Sequence, residues 1–188
     1  ASNLKSIATA LGVYAATWNG VLPRSGGYHP ASGPLWMVAA LPGLNRGPLS
    51  SYDELATFDV LHCPSHPTPK TPASFVMNAM AFDVRPQWSR AAPACKWSRI
   101  KRQSTVPLLL ETPDLFKGQG AWEFNAIFFE PALIVSNPDE FPGGPRESVS
   151  FTRHRNRQSN VLFADGHVAI VRPGELHLND FDDGIVGR

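Results

Sequence analysis

Apolar residues near the start of the chain recur at three- and four-residue intervals: Leu4, Ile7, Ala8, Leu11, Tyr14, Ala15 and Trp18. That spacing predicts one amphipathic helix over residues 3–18, with a single apolar stripe lying on a core. Ser2 or Asn3 stands where a cap is wanted, and Asn19-Gly20 supplies the stop. Leu4, Ile7, Leu11 and Tyr14 are expected to face a sheet. Near the other end the period changes to two. Residues 160–164 and 167–171 flank Asp165-Gly166, a dipeptide that favours two-residue hairpin turns. Counting outward from such a turn pairs Phe163 with Val168 and Val161 with Ile170, which makes one face of the hairpin wholly apolar. Between these ends the pattern is weaker. A short helical turn is expected from Leu35 to Leu41, ended by Pro42-Gly43. Strands are expected over 74–82, 106–111 and 147–152, and residues 126–135 read as a strand pair or a buried ledge broken by Pro131.

Composition narrows the picture. With 188 residues, 43% of them hydrophobic, the chain fits one folded domain with a sizeable core. Eighteen prolines and 15 glycines put much of it in loops, above all the proline-rich stretch from His62 to Pro72. The fold class that follows is α+β, an N-terminal amphipathic helix packed on an antiparallel β-sheet with long Pro/Gly-rich loops. A net charge of +1 gives no bulk field for nucleic acid or an anionic membrane. The longest apolar run, Trp36 to Leu41, is far short of the roughly 20 residues that span a bilayer. Ala1 is not an ordinary start, so the chain is expected to lack whatever precedes the first helix.

Several groupings invite chemistry. His154, Asp165 and His167 include common metal ligands, but Asp165 and Gly166 are also what the turn demands, and His167 opens a strand. Cys63 and Cys95 permit one disulfide, worth roughly 3–4 kcal/mol for a loop of about 30 residues, or stand as two separate buried thiols. Asn179, Asp180, Asp182 and Asp183 gather oxygen ligands that suit calcium, without an EF-hand spacing; otherwise they form a solvated acidic tail. Two basic clusters occur, one of Lys96, Arg99, Lys101 and Arg102 around Trp97, the other of Arg153, His154, Arg155 and Arg157. Either could contact phosphates, though pairing with acidic patches fits the balanced charge better, and nucleic acid is not expected as a partner. His62-Cys63-Pro64-Ser65-His66 suggests metal binding by residue type, while Ser65, Thr68 and Thr71 among prolines suit glycosylation. Trp18, Trp36, Trp88, Trp97 and Trp122 are too scattered for a sugar platform, and core or interface use is expected of them. No phosphate loop, nucleophile elbow or His-Glu-x-x-His pattern occurs, so no enzyme is expected.

Taken in order, short blocks along the chain resemble one family. Arg153-His154 followed by Asn160-Val-Leu-Phe-Ala-Asp-Gly-His-Val168 resembles the signature of prepilin-type proteins named for a His-x9-Asp-Gly motif, which are abundant in planctomycetes. Residues 3–11 with Tyr14 and Pro23 are similar to that family's segment after its hydrophobic helix, and residues 35–42 to its second block. Cys63-Pro-Ser65, Ser74-Phe-Val-Met-Asn78, Arg99-Ile-Lys-Arg102 and Leu108-Leu-Leu-Glu111 are similar to further blocks in family order. Ten residues, not nine, separate His154 from Asp165, which places an additional residue in the loop before the strand. The hydrophobic anchor helix of the family is not in this chain. The resemblance implies a pilin-like head in a single domain, residues 1–20 being the lower part of the N-terminal helix and 21–188 the globular head. It implies an exported structural subunit of an extracellular or cell-surface filament of the type IV or type II secretion kind, with copies of itself and other pilin-like subunits as partners. Its precursor would be anchored in the membrane by the missing helix, and Leu4, Ile7, Leu11, Tyr14 and Trp18 would lie on the assembly helix. A minor filament-tip or secretion component that binds DNA or glycan is the alternative.

Overall fold

The computed structural model describes residues 1–23, 36–65, 73–78, 96–111, 150–151, 153–172, 174–176 and 180, together with the backbone of 128–129. Its first element, α1, runs Ser2–Thr17. Leu4, Ile7, Ala10, Leu11 and Ala15 are buried on one side of it, as a 3.6-residue period requires. No side chain caps the start; Asn3 instead reaches away from the helix, its Nδ2 donating to the carbonyls of Asp59 (2.9 Å) and His62 (2.7 Å). At the other end Asn19 (φ 53°) and Gly20 (φ 75°) take the left-handed conformation, and the Gly20 amide donates to the Ala15 carbonyl at 2.7 Å. That is the stop expected of Asn-Gly. The stripe is shorter than its period suggests. Tyr14 is half-buried and Trp18 is 57% exposed, its ring stacked on Tyr14 at 5.8 Å, because the helix has ended and the backbone at Trp18 has left the helical path.

A second, short helix, α2, spans Trp36–Ala40 and is followed by a 3-10 turn, Pro42–Leu44. The turn lies directly against α1. A Cβ on Gly43 would meet the Cα of Ala10 at 2.6 Å, so only a glycine permits this approach. Further 3-10 turns follow at Tyr52–Thr57 and Asp59–Leu61, and a later one at Trp97–Arg99.

Among the described residues five strands form one sheet: β1 (Phe75–Asn78), β2 (Pro107–Glu111), β3 (Phe128–Phe129), β4 (Ser159–Phe163) and β5 (Val168–Val171). Their order is β3-β1-β2-β4-β5. The pairs β1–β2, β2–β4 and β4–β5 are antiparallel, whereas β3 joins the edge of β1 in parallel, so the sheet is not wholly antiparallel. Residues 150 and 151 are not strand, although the Ser150 amide donates to the Glu111 carbonyl at 2.9 Å. Both faces of the sheet are covered. Phe75, Met77, Leu109, Leu162 and Ala164 pack with Leu4, Ile7 and Leu11 of α1 and with Trp36 and Met37 of α2. Val76, Leu110, Val161, Phe163 and Val171 form a second cluster with Phe151 on the opposite face. In β2 a register shift between Pro107 and Leu109 lets Leu108 and Leu109 both join the α1 side, as a bulge does.

The hairpin forms, but one residue out of the expected register. Leu162 pairs with Val168, Val161 with Ala169 and Asn160 with Ile170. The Gly166 amide donates to the Phe163 carbonyl, the Phe163 amide to the His167 carbonyl, and within the turn Gly166 alone takes a positive φ, 89°. This is a three-residue loop, a turn closed by a left-handed glycine, and not the two-residue turn that Asp-Gly suggests. A one-residue slip exchanges the faces of β5. Val171 and Ala169 therefore join Val161 and Phe163, while Ile170 is left 61% exposed. No helix among the described residues is long and apolar enough to cross a membrane.

Candidate functional site

Glu111, the last residue of β2, is 1% exposed. A carboxylate there needs partners, and three side chains from residues 154–160 supply them. Its Oε1 lies 2.9 Å from His154 Nε2 and accepts from Asn160 Nδ2 at 3.1 Å; the hydroxyl of Ser159 lies 3.5 Å from Oε2. Asn160 Nδ2 also lies 2.9 Å from His154 Nε2, and Cys63 Sγ approaches the same nitrogen at 3.6 Å. One oxygen of Glu111, one nitrogen of His154 and the sulfur of Cys63 all fall within 4.8 Å of one another.

Local structure explains the meeting. Glu111 extends β2 one step past the Leu110–Val161 pair, which brings it opposite Asn160 at the start of β4. His154 stands at the head of a tight excursion closed by the His154–Gln158 bridge, in which Asn156 (φ 64°) and Arg157 (φ 54°) are both left-handed. The long His154–Asp165 interval thus accommodates a compact loop. Cys63 follows the segment that Asn3 ties to the first turn of α1, so the helix and the cluster share one support.

Electrostatics at Cys63 favour the thiol. Burial raises its pKa, the Glu111 charge raises it further, and Arg153 pulls it back. A Cys–His–carboxylate relay needs the acid and the sulfur on different ring nitrogens, so that a proton can pass across the imidazole. Here Glu111 and Cys63 approach the same one. The three groups converge on one point and do not form that relay.

The sequence motif around the hairpin divides in two. His154 makes its contacts at the start of β4, and Asp165, Gly166 and His167 lie at the far end of that strand. Asp165 Oδ1 accepts from the His167 amide at 3.0 Å and lies 2.6 Å from its Nδ1. Slight burial acts to raise the Asp165 pKa, but the His167 amide and ring outweigh it and hold the carboxyl below its usual value. The His167 ring stacks on Phe163 at 4.5 Å. These are turn-stabilising contacts. Cys63 is a free, buried thiol, and Cys95 lies outside the described residues. Of the acidic run only Asp180 is described; Asn179, Asp182 and Asp183 are not. Trp97 is half-buried and its indole N–H donates to the Ala164 carbonyl, which ties the first basic cluster to the hairpin.

Residue types alone did not reveal Glu111 as a site residue, since it closes an apolar strand and reads as the strand's solvent end. The class defined so far is an α+β domain with a mixed sulfur, nitrogen and oxygen cluster whose sulfur and carboxylate are buried and whose imidazole is half-buried. No family model, curated protein or solved structure matches the chain.

Proposed function

We propose that the chain is the head of a structural subunit in an extracellular or cell-surface pilin-like filament, and that it works by assembly. One observation carries the reading: the first helix is pinned to the rest of the domain by its buried stripe and at its first turn. Leu4, Ile7 and Leu11 are buried in the core, Gly43 seats the 42–44 turn against Ala10, and Asn3 locks the helix start to the 59–62 segment. A head that must repeat along a fibre needs a fixed orientation relative to the helix that carries it, because heterologous contacts propagate only if every copy presents the same geometry. The order of the family-like blocks along the chain supports the same reading. Trp97 is half-buried, packs against the core and donates its indole N–H to the Ala164 carbonyl, so the aromatic of the first basic cluster already has a place in the fold.

Immunogold labelling of the native source, with antibodies to this domain and negative-stain imaging, tests the proposal. Gold in regular rows along thin fibres is the expected result. Label confined to fibre tips would favour the DNA- or glycan-binding alternative, and label on surfaces without fibres would overturn the filament reading.

A further inference from the structure

We infer that Cys63, Glu111 and His154 form a binding site for a single zinc-class divalent metal ion, with Asn160 as a fourth, neutral ligand. The inference does not rest on the filament reading.

The geometry points there because Glu111 Oε1, His154 Nε2 and Cys63 Sγ converge within 4.8 Å of one another, and with the Asn160 amide nitrogen facing them no arrangement of protons satisfies every contact. His154 Nε2 has two short polar neighbours, Glu111 Oε1 and Asn160 Nδ2, both at 2.9 Å. If Nε2 carries a proton it serves Glu111, and the Asn160 amide then meets a donor with a donor. If Nε2 is bare it accepts from Asn160, and an ionised Glu111 then sets a lone pair against a lone pair. Protonating Glu111 lets it donate to Nε2, but the nitrogen has only one in-plane lone pair, and Asn160 is again left without an acceptor there. One contact fails in each case, beside a buried carboxylate and in a half-buried position where such failures carry a cost. A cation at the point of convergence removes the conflict. It accepts lone pairs from Nε2, Oε1 and Sγ together. The Asn160 amide, whose oxygen and nitrogen are interchangeable by rotation, can then turn its Oδ1 inward.

The distances suit a small tetrahedral ion. Zinc–sulfur and zinc–nitrogen bonds of about 2.3 and 2.0 Å place the two ligand atoms roughly 3.5 Å apart. Cys63 Sγ and His154 Nε2 are 3.6 Å apart. A nitrogen and an oxygen on the same ion would be about 3.3 Å apart, so the 2.9 Å Glu111–His154 contact opens by about 0.4 Å on binding. The ligand set selects the class of metal: sulfur and imidazole exclude calcium and magnesium, which take oxygen. Binding converts the Cys63 thiol to a thiolate bonded to the metal and releases its proton to solvent, so affinity falls as pH falls. Arg153, which favours the thiolate, and the hydroxyl of Ser159 near Oε2 act in the surrounding shell.

The site requires Cys63 to be reduced, so it excludes a Cys63–Cys95 disulfide. Intact mass of the native protein, alkylated under denaturing conditions with and without reductant, reads this directly. A free Cys63 is expected; a disulfide at Cys63 would overturn the site. The metal-stripped chain is then titrated with cobalt(II) and with zinc(II). One equivalent of cobalt should bind with a thiolate-to-metal charge-transfer band, and zinc should displace it and raise the melting temperature. Cys63→Ser should lose the band, and His154→Gln should weaken zinc binding more than tenfold. Folded wild-type protein that shows no such band with cobalt would overturn the inference, whether or not the variants fold.

Discussion

The imidazole of His62 is 8% exposed, and neither ring nitrogen makes a hydrogen bond of normal geometry. Burial lowers its pKa, and the backbone at Leu55 and Ala56 and the charge of Asp59 only partly oppose this. The sign of the consequence follows from linkage. An unfolded histidine titrates near pH 6.5, and the folded one titrates lower. The unfolded state therefore binds more protons between the two values, and stability falls as pH drops through that window. Above about pH 6.5 the contribution is fully present. His62→Gln removes the titration while keeping an uncharged side chain. Thermal melts at about pH 7.5 and about pH 5.5 should show a smaller drop for His62→Gln than for wild type. Equal drops would place the acid sensitivity elsewhere. His62 adjoins Cys63, whose raised pKa keeps its thiol protonated, so both side chains are uncharged at neutral pH and suit their burial.

The hairpin shows how far local sequence reaches at the level of one element. Both strands stand within a residue of their expected bounds, yet the register is one residue off. The choice between a two- and a three-residue loop is made elsewhere. The Ala164 and Asp165 amides donate to the carbonyls of Val106 and Gln103, which draws both residues out of the ladder and into the turn. Nothing in the alternation of residues 160–171 announces contacts with residues 103–106. The direction of β3 was illegible for a similar reason, since period and composition do not encode which way an edge strand runs. The helix was legible because its stripe and its stop are both local. The observed turn refines what substitution should do. A Cβ at Gly166 meets nothing within 4 Å, so Gly166→Val is penalised by its backbone alone, at about 1–3 kcal/mol. Gly166→Asn should recover most of this, because asparagine tolerates φ > 0. Asp165→Asn keeps an oxygen for the His167 amide and should change stability by only about 0.5 kcal/mol. Denaturant unfolding of the three variants checks the order; a Gly166→Asn as damaged as Gly166→Val would mean the left-handed turn is not what the glycine provides.

At the scale of the whole molecule, the cluster and the helix answer different questions about the same support. Cys63, Glu111 and His154 are separated by dozens of residues, and only the antiparallel pairing of β2 with β4 brings two of them together. Cys63 and His154 were noticeable in sequence, but Glu111 as a site residue and the meeting of the three were not. The N-terminal helix, by contrast, was visible at once, and what remains is the use of its outward surface. Val13 is 50% exposed and Trp18 57%, with Tyr14 stacked beneath the indole, so one end of α1 carries apolar surface that the core does not take up. If the filament reading holds, that end is where neighbouring heads touch α1, because large aromatics are favoured at the centre of protein contacts. Hydroxyl-radical footprinting of intact fibres against dissociated subunits separates the two sides of the helix. Leu4, Ile7 and Leu11 should be protected in both states, since the core already covers them. Trp18 and Tyr14 should be oxidised in the dissociated subunit and protected in the fibre. Trp18→Ser should then shorten or abolish fibres while leaving the isolated domain's melting temperature nearly unchanged, because the indole buries little within the fold. Trp18 labelled equally in fibres and free subunits would show that this end of α1 faces solvent in the assembly, and the contacts between heads would have to be sought on another surface.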